Sequence, residues 1–166
     1  MPTVVVTWIA FGQLLVTAVG REKLSAQFAE PVPLITRGPQ MSVTEPLPYR
    51  FRTVITGVSS PNEPEIVYFR QIPRGNIIIG GCHRCIPDMA SRTARFEPQA
   101  LIYQMRQMQR IVPALSNVQI IRSWSGIESY LPDSLPIIGP SHTTDGLYYA
   151  FGFCGHGFQL GPGWEM

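Results

Sequence analysis

The chain has 166 residues, enough for one domain or part of a larger one, and 45% of them are apolar against 14% charged. That balance supports a packed core and excludes a disordered chain. A formal net charge of +2 is too small to mark a nucleic-acid surface. Fifteen glycines and sixteen prolines favour short strands and turns over a helical bundle.

In chain order, the first apolar stretch is Thr3 to Val19. It contains Thr7, Gln13 and Thr17 and falls short of the roughly 20 apolar residues a membrane helix needs. No basic segment precedes Val4, so a secretory signal is not expected. The β-branched run from Thr3 predicts a buried strand through Ile9. A helix over Ala10 to Val19 is expected to follow, with Gly20 as its stop.

Gln40 to Glu45 alternates as a strand does, and Pro46-Leu47-Pro48 ends it. Glu65 to Arg70 and Asn76 to Gly80 read as a hairpin around Gln71-Ile72-Pro73-Arg74-Gly75. Its side chains are expected to alternate between a buried face and a second, open one. Phe96 to Val112 is the clearest helix: Pro98 sits in its first turn and Pro113 stops it. Leu101, Met105, Met108 and Val112 form one apolar stripe, expected to be core. Val118 to Trp124 and Leu147 to Phe153 are further strands. The predicted fold class is α+β, a mixed, mostly antiparallel sheet with one main helix packed on it.

Three cysteines without framework spacing fit a reducing compartment. The expected location is cytoplasmic, peripheral on an inner membrane at most. Cys82-His83-Arg84-Cys85 holds one C-x-x-C, to which Cys154 and His156 could add ligands. A zinc site needs four ligands at loop spacing, so no metal is expected.

Two loops read as a built site. In Leu131-Pro132-Asp133-Ser134-Leu135-Pro136, two prolines stiffen a turn around an aspartate. In Phe151 to Gln159, F-G-F-C-G-H-G-F-Q, glycines let a backbone pass close to a ligand. Together W-S-G-I-E-S-Y-L-P-D-S-L-P-I-I-G-P and G-L-Y-Y-A-F-G-F-C-G-H-G-F-Q-L-G-P resemble the C-terminal signature of the FAD-dependent amino-acid oxidase superfamily. The resemblance is nearest to the type that includes hydrogen cyanide synthase, opine oxidase and hydroxyproline dehydrogenase small subunits.

That resemblance implies FAD as cofactor and an amine or imino acid as substrate, with further subunits of a heteromeric dehydrogenase as partners. It implies flavin-facing roles for Gly126, Gly155, His156, Gly157, Phe158 and Gln159. Tyr68, His83 and Arg84 fall on the substrate side, with Tyr68 and His83 expected on the two strands of the hairpin. Glu128 stands where glycine oxidases carry a carboxylate-binding arginine, which disfavours a plain glycine oxidase and favours a cationic or larger amine. Val6-Thr7-Trp8-Ile9-Ala10-Phe11-Gly12 replaces with bulky residues the small ones usual in the family strand that closes the dinucleotide-binding domain. No G-x-G-x-x-G occurs in the sequence, although such a motif places a dinucleotide pyrophosphate in this family. The resemblance therefore implies a fragment lacking the nucleotide-binding half. It would comprise a strand–helix remnant over 1–20, a substrate domain over 21–124 and a truncated flavin-facing segment over 125–166. A non-catalytic remnant or an interaction subunit is the alternative.

Overall fold

A computed structural model describes residues 5–9, 12–17 and 25–160. The chain divides into two compact units, one formed by Met1–Arg37 and Ile127–Met166, the other by Gly38–Gly126.

In the first unit, β1 (Val5–Ile9) and β2 (Gly12–Thr17) form an antiparallel pair. β3 (Ile35–Arg37) pairs antiparallel with β9 (Glu128–Tyr130), so that Arg37 stands opposite Glu128. β2 runs parallel to β11 (Leu147–Phe151), which in turn pairs antiparallel with β10 (Ile137–Pro140). The sheet order is β1-β2-β11-β10. Val32, Leu34, Leu131, Leu147, Tyr149 and Phe151 form this unit's core.

The strand Gly12–Thr17 corrects the helix expected over Ala10 to Val19. A short apolar run cannot be assigned to helix or strand by periodicity alone. Here the parallel partner β11 supplies a full ladder, from Leu147 opposite Gln13 to Phe151 opposite Thr17. The rest of that expected helix, and Gly20, lie outside the described residues.

The second unit is a five-stranded sheet in the order β5-β6-β7-β4-β8. Its strands are β4 (Gln40–Thr44), β5 (Ile55–Ser60), β6 (Glu63–Gln71), β7 (Ile77–Gly81) and β8 (Ile120–Ser125). All four pairings are antiparallel. The predicted hairpin is β6–β7, with Arg70 opposite Ile78 and Tyr68 opposite Gly80. One helix, α1 (Pro98–Ile111), covers one face, and a 3-10 turn, Pro113–Leu115, follows it.

Strand alternation sorts the two faces. Val67, Phe69, Ile77 and Ile79 pack with Met108 of α1 in the core. Fully burying a side chain of that size is worth roughly 1.5–3 kcal/mol. The fully buried residues of α1 are Ala100, Gln104, Gln107 and Met108, and Met105 and Val112 of the expected stripe Leu101, Met105, Met108 and Val112 pack partly buried against the same core. The buried face widens to include Gln104 because β4 presents polar Gln40, Ser42 and Thr44, all buried, on the covered side. Gln104 answers them: its amide donates to the carbonyls of Gln40 and Gly81, each at 3.0 Å, and its Oε1 accepts from Ser42 Oγ at 3.1 Å.

Candidate functional site

The second face of the five-stranded sheet carries two rows of side chains set by register. Tyr68, Gly80, Met41 and Trp124 lie side by side across β6, β7, β4 and β8. Arg70, Ile78, Val43 and Arg122 form the next row. Paired residues in a sheet point to the same side, and this is the side opposite α1. At about 4.8 Å per strand, the backbone span from Tyr68 to Trp124 is about 14 Å.

The first row is held by specific contacts. Tyr68 lies across Gly80, where a Cβ would fall 2.6 Å from two ring carbons. That bare backbone lets the tyrosine hydroxyl reach β4 and donate to Met41 Sδ at 3.4 Å. At the other end the Arg122 guanidinium carbon stands 5.8 Å from the Trp124 ring centroid, within cation–π range. Tyr68 and Trp124 are 37% and 38% exposed, so both rings keep an open face. None of the eight positions is acidic.

His83 departs from the expected hairpin position. β7 ends at Gly81, and Cys82 takes a left-handed conformation with φ 75°. The turn carries His83 off the strand and between two carboxylates. Its Nδ1 is 3.5 Å from Glu65 Oε1, and its Nε2 is 4.0 Å from Glu97 Oε2. Burial, reinforced by Glu65, pushes the neighbouring Cys82 thiol up to about 12. Arg84 is exposed one residue further on. Cys85 is buried, and its Sγ faces the carbonyl oxygens of Gly38 and Arg95. Among the described residues no group of His, Cys, Asp and Glu is arranged to hold a metal ion.

In the first unit the structure brings Glu128 and the glycine-rich loop together. Glu128 is half-buried on β9, and its Oε2 accepts the Tyr130 hydroxyl. A Cβ on Gly155 would lie 3.7 Å from Glu128 Oε1, so the carboxylate faces bare backbone. Gly155 has φ 86°, a left-handed conformation that disfavours side chains. The His156 amide donates to the Phe153 carbonyl, and Gly157 opens the single-turn helix α2 (Gly157–Leu160). The side chains of Phe158 and Gln159 lie outside the described residues. Gly126 ends the second unit, its amide bonded to the Pro39 carbonyl and open space where a Cβ would stand.

Sequence reasoning missed Gly80, Met41 and Trp124 as the row that continues from Tyr68, and Tyr130 as the partner of Glu128. The family resemblance put Tyr68 on the substrate side, and strand alternation gave the hairpin two faces. The order of strands across the sheet, which no local pattern encodes, was needed for the other three.

The family described as DAO, FAD dependent oxidoreductase, matches residues 4–164, and the chain belongs to it. Sarcosine oxidase subunit beta of Rhizobium meliloti (strain 1021) is 32% identical over 95 residues, 57% of this chain and 22% of that protein. Hydrogen cyanide synthase subunit HcnC of Pseudomonas protegens is 43% identical over 52 residues, 31% of this chain and 12% of that protein. Among solved structures, L-proline dehydrogenase from P. horikoshii is 26% identical, with a TM-score of 0.63 over 79% of this chain and 33% of that one. Glycine oxidase from Geobacillus kaustophilus shares the fold, at 17% identity and a TM-score of 0.74 over 90% of this chain and 38% of that one. The chain thus spans about a fifth or less of these two curated relatives and about a third of the solved ones. The family uses FAD, and its α+β architecture is the one seen here. No helix among the described residues is long and apolar enough to cross a membrane.

Proposed function

We propose that this chain supplies the substrate side of a flavin-dependent oxidoreductase that acts on an amino acid, an imino acid or an opine. The substrate domain is the part over 21–124, and the segment over 125–166 faces the flavin. The observation that carries the reading is the aromatic row Tyr68–Met41–Trp124, open on the face that α1 leaves uncovered. A planar, partly apolar reactant suits such a surface.

The residues present fit part of the cofactor. Gly155, left-handed and without a side chain, and Gly126, with open space at its Cβ position, let backbone come close to a flat ring system. The loop from Gly155 through His156, Gly157 and Phe158 to Gln159 is the segment of the first unit that would hold the isoalloxazine. Bound FAD would accept a hydride from the substrate α-carbon. The chain's own groups would orient the substrate. Tyr68, with its ring over Gly80, would meet it on the open face, and His83 and Arg84 follow from the turn beyond β7. Glu128, in the place of a carboxylate-binding arginine, attracts the substrate's amine rather than its acid group.

A second reading has support of its own. Two relatives are named as subunits. This chain would then act only when docked on a partner polypeptide.

FAD retention by the purified chain decides between the two. A flavin spectrum that survives desalting supports the first reading, and opines, proline derivatives and glycine would then be screened for bleaching. A folded chain that retains no flavin supports the second.

A further inference from the structure

The proposed reading leaves one requirement unmet: an amino or imino acid has a carboxylate, and the position where related oxidases hold it carries Glu128. We infer that Arg122 is the carboxylate anchor of this protein, and that its ligand is a carboxylate with an apolar or aromatic body. This inference rests on the substrate-side reading of the open sheet face.

Three observations converge on Arg122. Register places it on that face, opposite Val43 and in the row beside Met41 and Trp124. Its guanidinium carbon lies 5.8 Å from the Trp124 ring centroid, within cation–π range, so the ring and the charge border one patch of the face. Among the described residues no carboxylate pairs with it and no oxygen accepts its N–H groups within hydrogen-bond distance. The N–H edge of a guanidinium matches a carboxylate in a two-point contact.

The neighbours set the rest of the ligand. The eight positions of the two rows contain no acidic residue, so a bound anion meets no repulsion within them. Met41 and the open face of Tyr68 extend from Trp124 along the row and suit an apolar or aromatic body. Arg70 occupies the same row as Arg122, separated from it by Ile78 and Val43. It is therefore placed for a second acidic group of a longer ligand rather than for the same one.

The test uses the full chain with Trp8→Phe and Trp164→Phe, which leaves Trp124 as the one indole. Phenylacetate is titrated against Trp124 fluorescence, with neutral phenylacetamide as the shape control. Saturable quenching by phenylacetate but not by phenylacetamide is expected, weakened roughly tenfold or more in Arg122→Gln. Arg122→Lys keeps the charge without the two-point fork and should fall between. It also keeps the test decisive should Arg122→Gln fail to fold. No binding to the parent chain, equal binding of the amide, or equal affinity in either Arg122 variant overturns the inference. Flavin retention reads the underlying proposal separately. Arg122-dependent binding without flavin retention removes the flavin reading alone, and flavin retention with Arg122-independent binding removes the anchor alone.

Discussion

Tyr68 lies flat across Gly80, so close that a single carbon added to the glycine would sit 2.6 Å from the tyrosine ring. The next residue, Gly81, is bare for a different reason. A Cβ there would run into the main-chain oxygen of Ile66, and its φ of 97° already disfavours a side chain.

The two glycines should therefore respond differently to alanine. Gly80→Ala displaces side chains, lifting Tyr68 and breaking its bond to Met41, at the roughly 1–3 kcal/mol typical of overpacking. Gly81→Ala pushes backbone against backbone and adds left-handed strain, so it should cost more. Urea unfolding of both variants measures the order. Equal destabilisation would mean that Gly80 does not sit under the ring as described.

Gln104 is the polar keystone of the second unit. It is fully buried and bonds two main-chain carbonyls and the Ser42 hydroxyl. Gln104→Leu preserves bulk but takes the amide from two main-chain carbonyls, while the Ser42 hydroxyl keeps Ser123 Oγ at 2.9 Å; each buried unsatisfied group costs about 1–3 kcal/mol. A loss of roughly 3 kcal/mol or more is expected by urea unfolding, since partial rescue by water lowers the simple sum. A neutral or stabilising result would show that water replaces the amide fully.

These two sites also mark what the sequence discloses. The β6–β7 hairpin and its two faces follow from local alternation and a glycine-containing loop. The bounds of α1 follow from Pro98 and Pro113. The polar part of the buried face of α1 does not, because hydrophobic periodicity gives no reason to bury Gln104. That reason is Ser42 and Gln40 on β4, far away in the chain. The strand Gly12–Thr17 is hidden in the same way, since its parallel partner Leu147–Phe151 lies near the other end of the sequence. His83 leaves its expected strand position because Cys82 adopts a left-handed conformation that its residue type does not advertise. The Glu128–Gly155 approach joins two motifs each visible in the sequence, but only the fold makes them neighbours.

Glu30 should confer acid sensitivity on the first unit. The Ser141 hydroxyl donates to its carboxylate at 2.6 Å and the His142 amide at 2.7 Å, fastening the turn between β10 and β11. The Ser141 bond is the main cause that holds the carboxyl below its ordinary value, with the His142 amide adding to it. A depressed native pKa stabilises the fold at neutral pH, down to the unfolded value of roughly 4.3. That stabilisation is then lost as pH falls through the lower native value. The melting temperature should drop less between pH 5 and pH 3 in Glu30→Gln than in the parent chain. Parallel acid limbs in the two proteins would refute the role.

Cys82 should be unreactive under conditions in which most thiols alkylate. Burial chiefly, with Glu65 beside it, holds the thiol near 12, against roughly 8.5 for an ordinary cysteine. Iodoacetamide attacks only the thiolate. Near pH 8 the native chain should therefore modify Cys82 about 1,000-fold more slowly than the urea-unfolded chain, with the site read by peptide mass spectrometry. Glu65→Gln removes a nearby negative charge and should accelerate the reaction. The same shift predicts a pH effect on folding. A thiol that ionises in the unfolded chain but not in the native one costs nothing below the unfolded value. Between roughly 8.5 and 12 it progressively favours unfolding, because the unfolded state binds fewer protons there. Cys82→Ser should thus flatten the alkaline decline of the melting temperature. Equal alkylation rates in native and unfolded chains near pH 8 would show that the Cys82 thiol is neither buried nor influenced by Glu65.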